Sequence, residues 1–221
     1  MGAKHLLVIG GEAAISKETA DAYGQGRSLT SIGGKNRYDT AALVADAVIK
    51  EVGKQGVAMI ATGENYPDAI AISVDAASRG IPILLVRQGG VPKETAAALT
   101  RNSITKTTVI GGDAAVSEAS VNQLPGTPVR LGGKNRYDTA AVIAAHFHKT
   151  AHTAYLATGE KFPDALTAGL VAARNHAPLL LTKRDDLRNE ARAYFTKAGV
   201  KKVILIGGTN AITDRVVKDM K

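Results

Sequence analysis

An internal repeat constrains this chain of 221 residues more than any other feature of its sequence. The ten-residue block GGKNRYDTAA occupies residues 33–42 and occurs again, unchanged, at residues 132–141. A second block, ATGENYPDA at residues 61–69, returns as ATGEKFPDA at residues 157–165. Blocks that recur in the same order mean that one supersecondary unit has been duplicated. The sequence therefore predicts two copies of one folding unit.

Two shorter blocks keep the same order. IPILL at residues 81–85 returns as APLLL at residues 177–181, and VIGG at residues 109–112 returns as LIGG at residues 205–208. A third VIGG, at residues 8–11, has none of the other blocks before it, which indicates a fragment of a longer array. The predicted segments are the tail of a preceding repeat at residues 1–29 and two repeat units at residues 30–125 and 126–221.

Within each unit, short apolar runs alternate with helical patterns. Val57–Ala61 and Ile81–Val86 have the composition of buried strands. The segment between Pro67 and Gly80 begins and ends like a helix. Strands that alternate with helices favour βαβ crossovers and a parallel sheet. We therefore predict an α/β fold of tandem small three-layer units, each with a mostly parallel sheet of about four strands flanked by helices.

Four polar residues are expected to cap helices. Asp39 precedes an apolar stripe at helical spacing, and we predict that it is the N-cap of that helix. Ser16, Ser117 and Thr213 follow the three glycine-pair blocks, and each is predicted to cap the last helix of its unit.

Positive charge is concentrated in the second half of the chain. The net charge is +8, yet residues 1–125 hold 12 Lys and Arg against 12 Asp and Glu, while residues 126–221 hold 16 against 8. A basic region favours an anionic partner. The chain has no cysteine, which excludes disulfides, Cys-ligated zinc and a thiol nucleophile. It also has no apolar run near the roughly 20 residues of a transmembrane helix.

The glycine pairs are the first candidate ligand site. Gly10-Gly11, Gly111-Gly112 and Gly207-Gly208 lie between a strand and a helix, where backbone N–H groups could hold a phosphate. The full dinucleotide fingerprint and the P-loop lysine are missing, and a tight turn with positive φ explains the pairs equally well. A nucleotide or sugar-phosphate-binding protein that uses these turns is therefore the alternative function.

The basic residues of the ten-residue block are the second candidate. Lys35 and Arg37 are repeated as Lys134 and Arg136. The planar guanidinium of arginine matches a carboxylate or a phosphate. The competing interpretation is structural, because an arginine with acids so near in sequence is usually paired with one of them.

Three further groups receive structural interpretations. The acids four residues apart lie at helix starts, where a negative charge is favourable, and nothing indicates the pKa separation of a glycosidase pair. They are Glu64 with Asp68 and Glu160 with Asp164. The histidines of the second unit are expected on the surface: His146, His148, His152 and His176. The basic residues late in that unit are interpreted as a solvated face, with attraction of an anionic polymer as the alternative.

The four blocks together resemble the type-two cell-wall-binding repeat of Gram-positive surface proteins. The matching pieces are GKNRYDTA at residues 34–41, ATGENYPDA at residues 61–69, PILL at residues 82–85 and VIGG at residues 109–112, with their second copies. The likeness extends over nearly all of the chain.

This resemblance implies non-catalytic attachment of a secreted protein to the cell wall or cell surface through an anionic, teichoic-acid-like secondary wall polymer. It also implies three modules packed around a pseudo-threefold axis, so that other repeats of the same chain or a homo-oligomer are expected partners. The segment that the family associates with packing and polymer anchoring falls at Pro82, Ile83, Leu84 and Leu85, and at Pro178, Leu179, Leu180 and Leu181.

The first hypothesis is therefore a wall-binding module in which Lys35, Arg37, Lys134 and Arg136 hold polymer phosphates or carboxylates. No cofactor, metal, nucleic acid or membrane span is expected. The absence of tryptophan argues against an aromatic platform for sugars. A pure scaffold, in which the repeats bind only one another, is a third possibility.

Overall fold

Strands and helices alternate along residues 2–220, the part of the chain that the computed structural model describes. The strands are β1 (His5–Ile9), β2 (Ser28–Ile32), β3 (Val57–Thr62), β4 (Ile83–Val86), β5 (Lys106–Ile110), β6 (Val129–Leu131), β7 (Thr153–Thr158), β8 (Leu179–Thr182) and β9 (Lys202–Ile206). The helices are α1 (Lys17–Gly24), α2 (Arg37–Val52), α3 (Pro67–Arg79), α4 (Lys93–Arg101), α5 (Glu118–Val121), α6 (Arg136–Phe147), α7 (Phe162–Arg174), α8 (Asn189–Ala198) and α9 (Asp214–Lys218).

The strands of this described part form three parallel sheets with the orders β1-β2, β4-β3-β5-β6 and β8-β7-β9. Strands β3 and β8 are buried along nearly their whole length, as expected for strands that helices cover on both faces. The predicted α/β fold, with parallel sheets flanked by helices, is confirmed.

Two of the sheets extend across the boundaries of the sequence repeat. Strand β6 lies within residues 126–221, yet it pairs with β5 of the preceding unit, with Thr108 opposite Val129 and Ile110 opposite Leu131. Strand β2 pairs with β1 in the same way. Each unit thus donates its first strand to the sheet before it, which joins consecutive units through backbone hydrogen bonds.

The strand order of the central sheet reverses beside β3. From β3 the chain passes outward to β4, and it then returns to β5 on the other side of β3. In open α/β sheets, such a reversal leaves a crevice outside the carboxyl ends of the two strands, where ligands bind. Strand β3 ends at Thr62 and β5 ends at Ile110, so the residues that follow them line this position.

The prediction that Asp39 is an N-cap is wrong. Helix α2 begins at Arg37, and Asn36 is its N-cap, with a side-chain oxygen that accepts hydrogen bonds from the N–H groups of Tyr38 and Asp39. The Asp39 carboxylate instead reaches back and accepts from the N–H of Lys35 at 2.9 Å. Asp39 is the third residue of the helix, where an acidic side chain reaches back to the backbone at the helix start, so it supports the cap without occupying it.

The second copy of the block repeats this arrangement. Of the other three predicted caps, two are confirmed and one is not. Asn135 caps α6, and Asp138 accepts from the N–H of Lys134 at 3.0 Å. Ser16 and Ser117 accept hydrogen bonds at the starts of α1 and α5, as predicted. Thr213 stands at the N-cap position of α9 but donates its hydroxyl to the carbonyl of Arg184, so its side chain does not cap the helix.

One apolar core runs across the junction between the two units. It contains residues of α3 and of α7, two helices that pack against each other along small side chains. A Cβ added at Gly169 would lie 3.2 Å from Oγ of Ser73, so the helices approach closely there. Alanines 165, 168 and 172 of α7 are buried in the same contact. The two units therefore form a continuous packed structure.

Among residues 2–220, none of the helices combines the length and the apolar character that crossing a membrane requires.

Candidate functional site

A cleft of about 420 Å³ opens at the carboxyl ends of β3 and β5, which is the position that the strand order marks for a ligand. One wall comes from the first unit: Thr62, Glu64, Asn65, Pro67, Asp68, Gly112, Ala114 and Ala115. The facing wall comes from the second unit: Gly133, Lys134, Asn135, Arg136 and Thr139. The cleft therefore exists only where two consecutive units meet.

The glycine pairs bring these walls together. Gly111 has a φ of 105°, and a Cβ at this position would lie 2.6 Å from a carboxylate oxygen of Asp68. A Cβ at Gly132 would lie 2.4 Å from the backbone of Gly111. Two strand-to-helix turns thus pack backbone on backbone, which only glycine permits. This close approach accounts for the glycine pairs structurally, as the turn interpretation predicts.

The loop that carries Lys134 is held rigidly by its own side chains. Asn135 caps α6, the hydroxyl of Thr139 accepts from the N–H of Gly133 at 3.1 Å, and Asp138 accepts from the N–H of Lys134. Thr139 is fully buried. Because these bonds fix the backbone from Gly133 to the start of α6, the Lys134 side chain projects from a preorganised base.

The two arginines of the repeated block are not paired with acids. Arg136 donates from Nη1 to the carbonyl oxygen of Gly159 at 2.6 Å, and Arg37 donates in the same way to Gly63. Neither arginine forms an ion pair within the described residues. The sequence interpretation of an internal Arg–carboxylate pair is therefore wrong. Each arginine is bound to the carbonyl of a later turn of its own unit and has no carboxylate within ion-pair distance.

The lysines of the block are also free of acids. Lys35 and Lys134 are exposed, and no carboxylate of residues 2–220 lies within ion-pair distance of either ammonium group. An unpaired ammonium beside an unpaired guanidinium gives this wall of the cleft a net positive charge. Such a wall attracts anions, and the attraction is weakened by salt.

Acidic groups lie on the opposite wall. Burial raises the pKa of Asp68, and the positive charge of Arg136 acts in the opposite direction. Glu64 accepts a hydrogen bond from the N–H of Gln88 at 3.3 Å, so it is attached to the loop after β4. No cluster of three or more potential metal ligands is present in residues 2–220. The cleft therefore pairs a cationic wall with hydrogen-bond acceptors on the other.

The first copy of the block faces a different and more open groove of about 550 Å³. Lys35 and Arg37 line it together with the turn after β1, and Ile83 and Leu85 form its apolar floor. Helix α3 packs on β8, where the matching residues Leu179 and Leu181 are buried. The groove thus lacks, among the described residues, the helix wall that completes the cleft at the second junction.

The structure places most of the apolar candidate residues in the core. Fully or nearly fully buried are Pro82, Leu84, Pro178, Leu179, Leu180 and Leu181. Ile83 and Leu85 are partly buried and reach the open groove. The structure brings Lys134 and Arg136 together in the cleft and Lys35 and Arg37 together in the groove, while the buried leucines act on either site only through packing.

Sequence reasoning missed a polar contact at the same junction. Asp75, on α3, is 2% exposed, and its carboxylate lies 2.9 Å from Nε2 of His148 at the end of α6. The prediction that His148 is a surface residue is wrong. Its imidazole is largely buried and is the partner that the buried Asp75 carboxylate requires. The hydroxyl of Tyr194 donates to the carbonyl of His148, and burial together with Asp75 raises the pKa of Tyr194 to about 12.

A signal for this contact was present in the sequence. Asp75 interrupts the apolar helix that starts at Pro67, and a charge in such a place requires a partner. The other three histidines of the second unit, His146, His152 and His176, are exposed as predicted. Among the late basic residues, Arg184 and Arg188 are paired with neighbouring acids, which fits the solvated-face interpretation for those two side chains.

Comparison with known proteins gives the family. The sequence profile of cell wall binding domain 2 (CWB2) matches residues 31–121 and 130–217. The N-acetylmuramoyl-L-alanine amidase LytC of Bacillus subtilis is 33% identical over 222 residues, which covers 100% of this chain and 44% of the amidase. The amidase enhancer of the same organism is 28% identical over 214 residues, or 96% of this chain and 29% of that protein.

Solved structures agree with this assignment. Cwp6 from Clostridium difficile superposes with a TM-score of 0.79 at 25% identity, over 86% of this chain and 30% of Cwp6. Cwp8 from the same organism has the same fold, with a TM-score of 0.79 at 24% identity over 98% of this chain and 38% of Cwp8. The chain spans less than half the length of the curated relatives, and the family that it matches is one of binding modules, not of catalytic domains. The chain belongs to the cell wall binding domain 2 family and contains two of its repeats.

Proposed function

We propose that this chain is a non-catalytic anchor that attaches a secreted protein to the cell wall by binding an anionic, teichoic-acid-like secondary wall polymer. The polymer binds in the cleft between the two repeat units. The observation that carries the proposal is the cleft itself, because it lies at the sheet's switch point and has on one wall two cations that form no ion pair, although Glu64 and Asp68 lie on the other wall.

The roles of the two cations differ. The exposed ammonium of Lys134 is a mobile point charge that can contact successive phosphates or carboxylates. Arg136 is half-buried and fixed by its bond to Gly159, so it supplies a stationary charge at the floor of the cleft. A polymer is suited to this arrangement because a weak contact repeated along the chain accumulates avidity.

The groove at the first junction is a weaker second site in this proposal. Lys35 and Arg37 would supply its charge, while Ile83 and Leu85 would contact apolar parts of the polymer. The buried residues of the anchoring segments support both sites from beneath: Pro82, Leu84, Pro178, Leu179, Leu180 and Leu181. Their substitution would reduce anchoring by loosening the sheets, without removing any contact with the polymer.

The test is retention on purified Gram-positive cell walls. Lys134→Ala should weaken binding about tenfold, which corresponds to about 1.4 kcal/mol, and raising the salt from 50 mM to 500 mM should release the wild type. Lys197→Ala is the matched control, because it removes an exposed lysine of α8 that lies outside the cleft, and it should bind like the wild type. Retention that is insensitive to both salt and Lys134→Ala would overturn the electrostatic site.

We also propose that the remaining apolar faces pack on further repeats, of the same chain or of a second copy. Leu166, Leu170 and Val171 of α7 are 51%, 72% and 43% exposed. They match Ile70, Val74 and Asp75 of α3, which α6 and α7 cover. An exposed face that is buried in the neighbouring copy indicates a partner of the same kind.

Sedimentation velocity tests this partner. If a second copy covers α7, the wild type should associate at micromolar concentration, and Leu170→Ser should reduce the association. A wild-type chain that stays monomeric at 100 µM would contradict the homo-oligomer and leave a further repeat in the same chain as the proposed partner.

A further inference from the structure

The nine aromatic side chains of this protein are distributed unevenly between core and surface. Three of them are strongly exposed: Tyr23, Tyr66 and Phe162, at 67%, 41% and 47%. Two of these three touch each other. The rings of Tyr66 and Phe162 have centroids 5.1 Å apart and meet edge to face at 61°. Exposed rings that meet across a junction need an explanation beyond packing.

The pair comes from equivalent positions of the two repeats. Tyr66 stands just before α3 and Phe162 opens α7, in the matching sequences ENYPDA and EKFPDA. Because α3 and α7 pack side by side, their aromatic starts lie next to each other at one end of the helix pair. The junction therefore brings two exposed aromatic rings into contact, one from each repeat.

The aromatic pair adjoins the cleft. The turn that carries Tyr66 also supplies Asn65 and Asp68 to the cleft wall, and Pro67 borders both surfaces. On the other side, Arg136 extends from the cleft to the carbonyl of Gly159, in the turn just before Phe162. The two rings therefore lie beside the end of the cleft at which Arg136 binds Gly159.

Hydrogen-bonding groups flank the rings. Asn65 adjoins Tyr66 and Lys161 adjoins Phe162, and both side chains are exposed. The hollow at the rings has a volume of only about 10 Å³, too little for an inserted side chain, and because the rings are inclined at 61° a ligand would lie on the face of one ring and against the edge of the other. A pyranose ring has a flat face that can lie in this way: its axial C–H groups are apolar, and its hydroxyl groups lie at the rim. Tyr and Phe offer a matching apolar surface at low entropic cost.

We propose that Tyr66 and Phe162 form a sugar platform, on which a hexopyranose residue of the wall polymer lies while the adjoining phosphate occupies the cleft. The inference rests on the proposed polymer binding and adds a second subsite to it. Leu166 and Leu170 continue along α7 away from the cleft and belong to the face assigned above to further repeats. The absence of tryptophan does not exclude an aromatic platform, because paired smaller rings from two repeats form one.

The experiment compares two polymers of equal length, poly(glycerol phosphate) with and without glucosyl substituents, by isothermal titration calorimetry. The wild type should bind the glucosylated polymer about fivefold more tightly. The double variant Tyr66→Ala/Phe162→Ala should bind both polymers equally, with the affinity of the wild type for the unsubstituted one. Tyr66→Phe/Phe162→Tyr should keep the preference, and so should Tyr23→Ala, which removes the exposed tyrosine outside the site.

Several results would overturn the platform. One is equal affinity of the wild type for the two polymers. Another is a double variant that loses the same factor of affinity for both polymers relative to the wild type. Loss of the preference in Leu166→Ala/Leu170→Ala would assign the rings to the apolar face between repeats. A different result would overturn the proposed function itself, and the platform with it: binding of neither polymer by the wild type, with circular dichroism showing an intact fold.

Discussion

The same ten residues, GGKNRYDTAA, stand in two different surroundings in this protein. At residues 132–141 they face the carboxyl ends of β3 and β5 and the start of α3, and a two-walled cleft results. At residues 33–42 they face the turn between β1 and α1 across an apolar floor formed by Ile83 and Leu85 of β4, and the groove is open. Identical motifs therefore do not make identical sites. The binding site is a property of the junction between repeats, since one repeat supplies the cations and the preceding one supplies the opposite wall.

The largest difference between the junctions is energetic. The second junction buries Asp75 against His148, whereas Val171 occupies the position of Asp75 in the other repeat and is 43% exposed. His148→Ala leaves the carboxylate buried beside Arg79 alone, so we expect a loss of about 3 kcal/mol in the free energy of unfolding. Urea denaturation measures it. His152→Ala, the same change at an exposed position, should cost under about 0.5 kcal/mol, and equal effects would contradict a special role of the junction.

The second prediction concerns the glycine contacts. A Cβ at Gly132 would lie 2.4 Å from the backbone of Gly111, and a Cβ at Gly33 would lie equally close to that of Gly10. Gly132→Ala should cost about 2 kcal/mol of global stability, because its clash lies next to Ile110 and Leu131, which belong to the continuous core. Gly33→Ala should loosen only residues 5–32. Hydrogen exchange distinguishes them, and global destabilisation by Gly33→Ala would show that the tail is integral to the core.

The third prediction compares the two lysines. Lys134→Ala should weaken polymer binding about tenfold, whereas Lys35→Ala should weaken it about twofold, since only Lys134 belongs to a two-walled cleft. Titration calorimetry with a short poly(glycerol phosphate) measures both. Equal losses would mean that the two junctions bind alike and that the motif alone determines the site.

The smallest expected effect is on the pH dependence of binding. Burial raises the pKa of Asp68 in the folded state, so the folded chain holds this proton more tightly than the unfolded chain. The ionised carboxylate therefore costs stability at neutral pH and repels an anion, and both effects fade as the pH falls through the folded pKa. Asp68→Asn should tighten polymer binding about twofold at pH 7 and remove the gain that the wild type shows on acidification.

The matched control for this prediction is Asp21→Asn, an exposed acid on α1 outside the cleft, which should change neither the affinity nor its pH dependence. If Asp68→Asn weakens binding, the carboxylate is a ligand contact in its own right.

Much of the fold could be predicted from local sequence. The limits of α3 were predicted by Pro67 and Gly80, because a proline fits a first turn and a glycine adopts the left-handed conformation that ends a helix. The cap of α2 was assigned wrongly, since Asn36 and Asp39 both suit the role and sequence alone does not rank them. The pairing of β6 with the preceding sheet was hidden, because a three-residue strand carries little pattern.

The candidate site was less predictable than the fold. The repeated Lys134 and Arg136 stood out in the sequence, but their opposite wall comes from two separate segments, residues 62–68 and 112–115, and only the reversal of strand order brings these together. The arginine's carbonyl partner also escaped prediction, because a backbone acceptor leaves no trace in residue identity. For the contact between Asp75 and His148, the sequence indicated only Asp75, as a charge within an apolar helix, and nothing in it identified His148 as the partner.

The central claim is that the complete binding site lies at the second junction. It is tested most directly by titrating the ¹⁵N-labelled protein with a poly(glycerol phosphate) oligomer and mapping the amide shifts. We predict that the largest shifts fall at residues 62–68, 111–115 and 133–139, with smaller ones at residues 10–14 and 34–41. Shifts of equal size at both junctions, or shifts confined to the basic residues 183–202, would contradict the account.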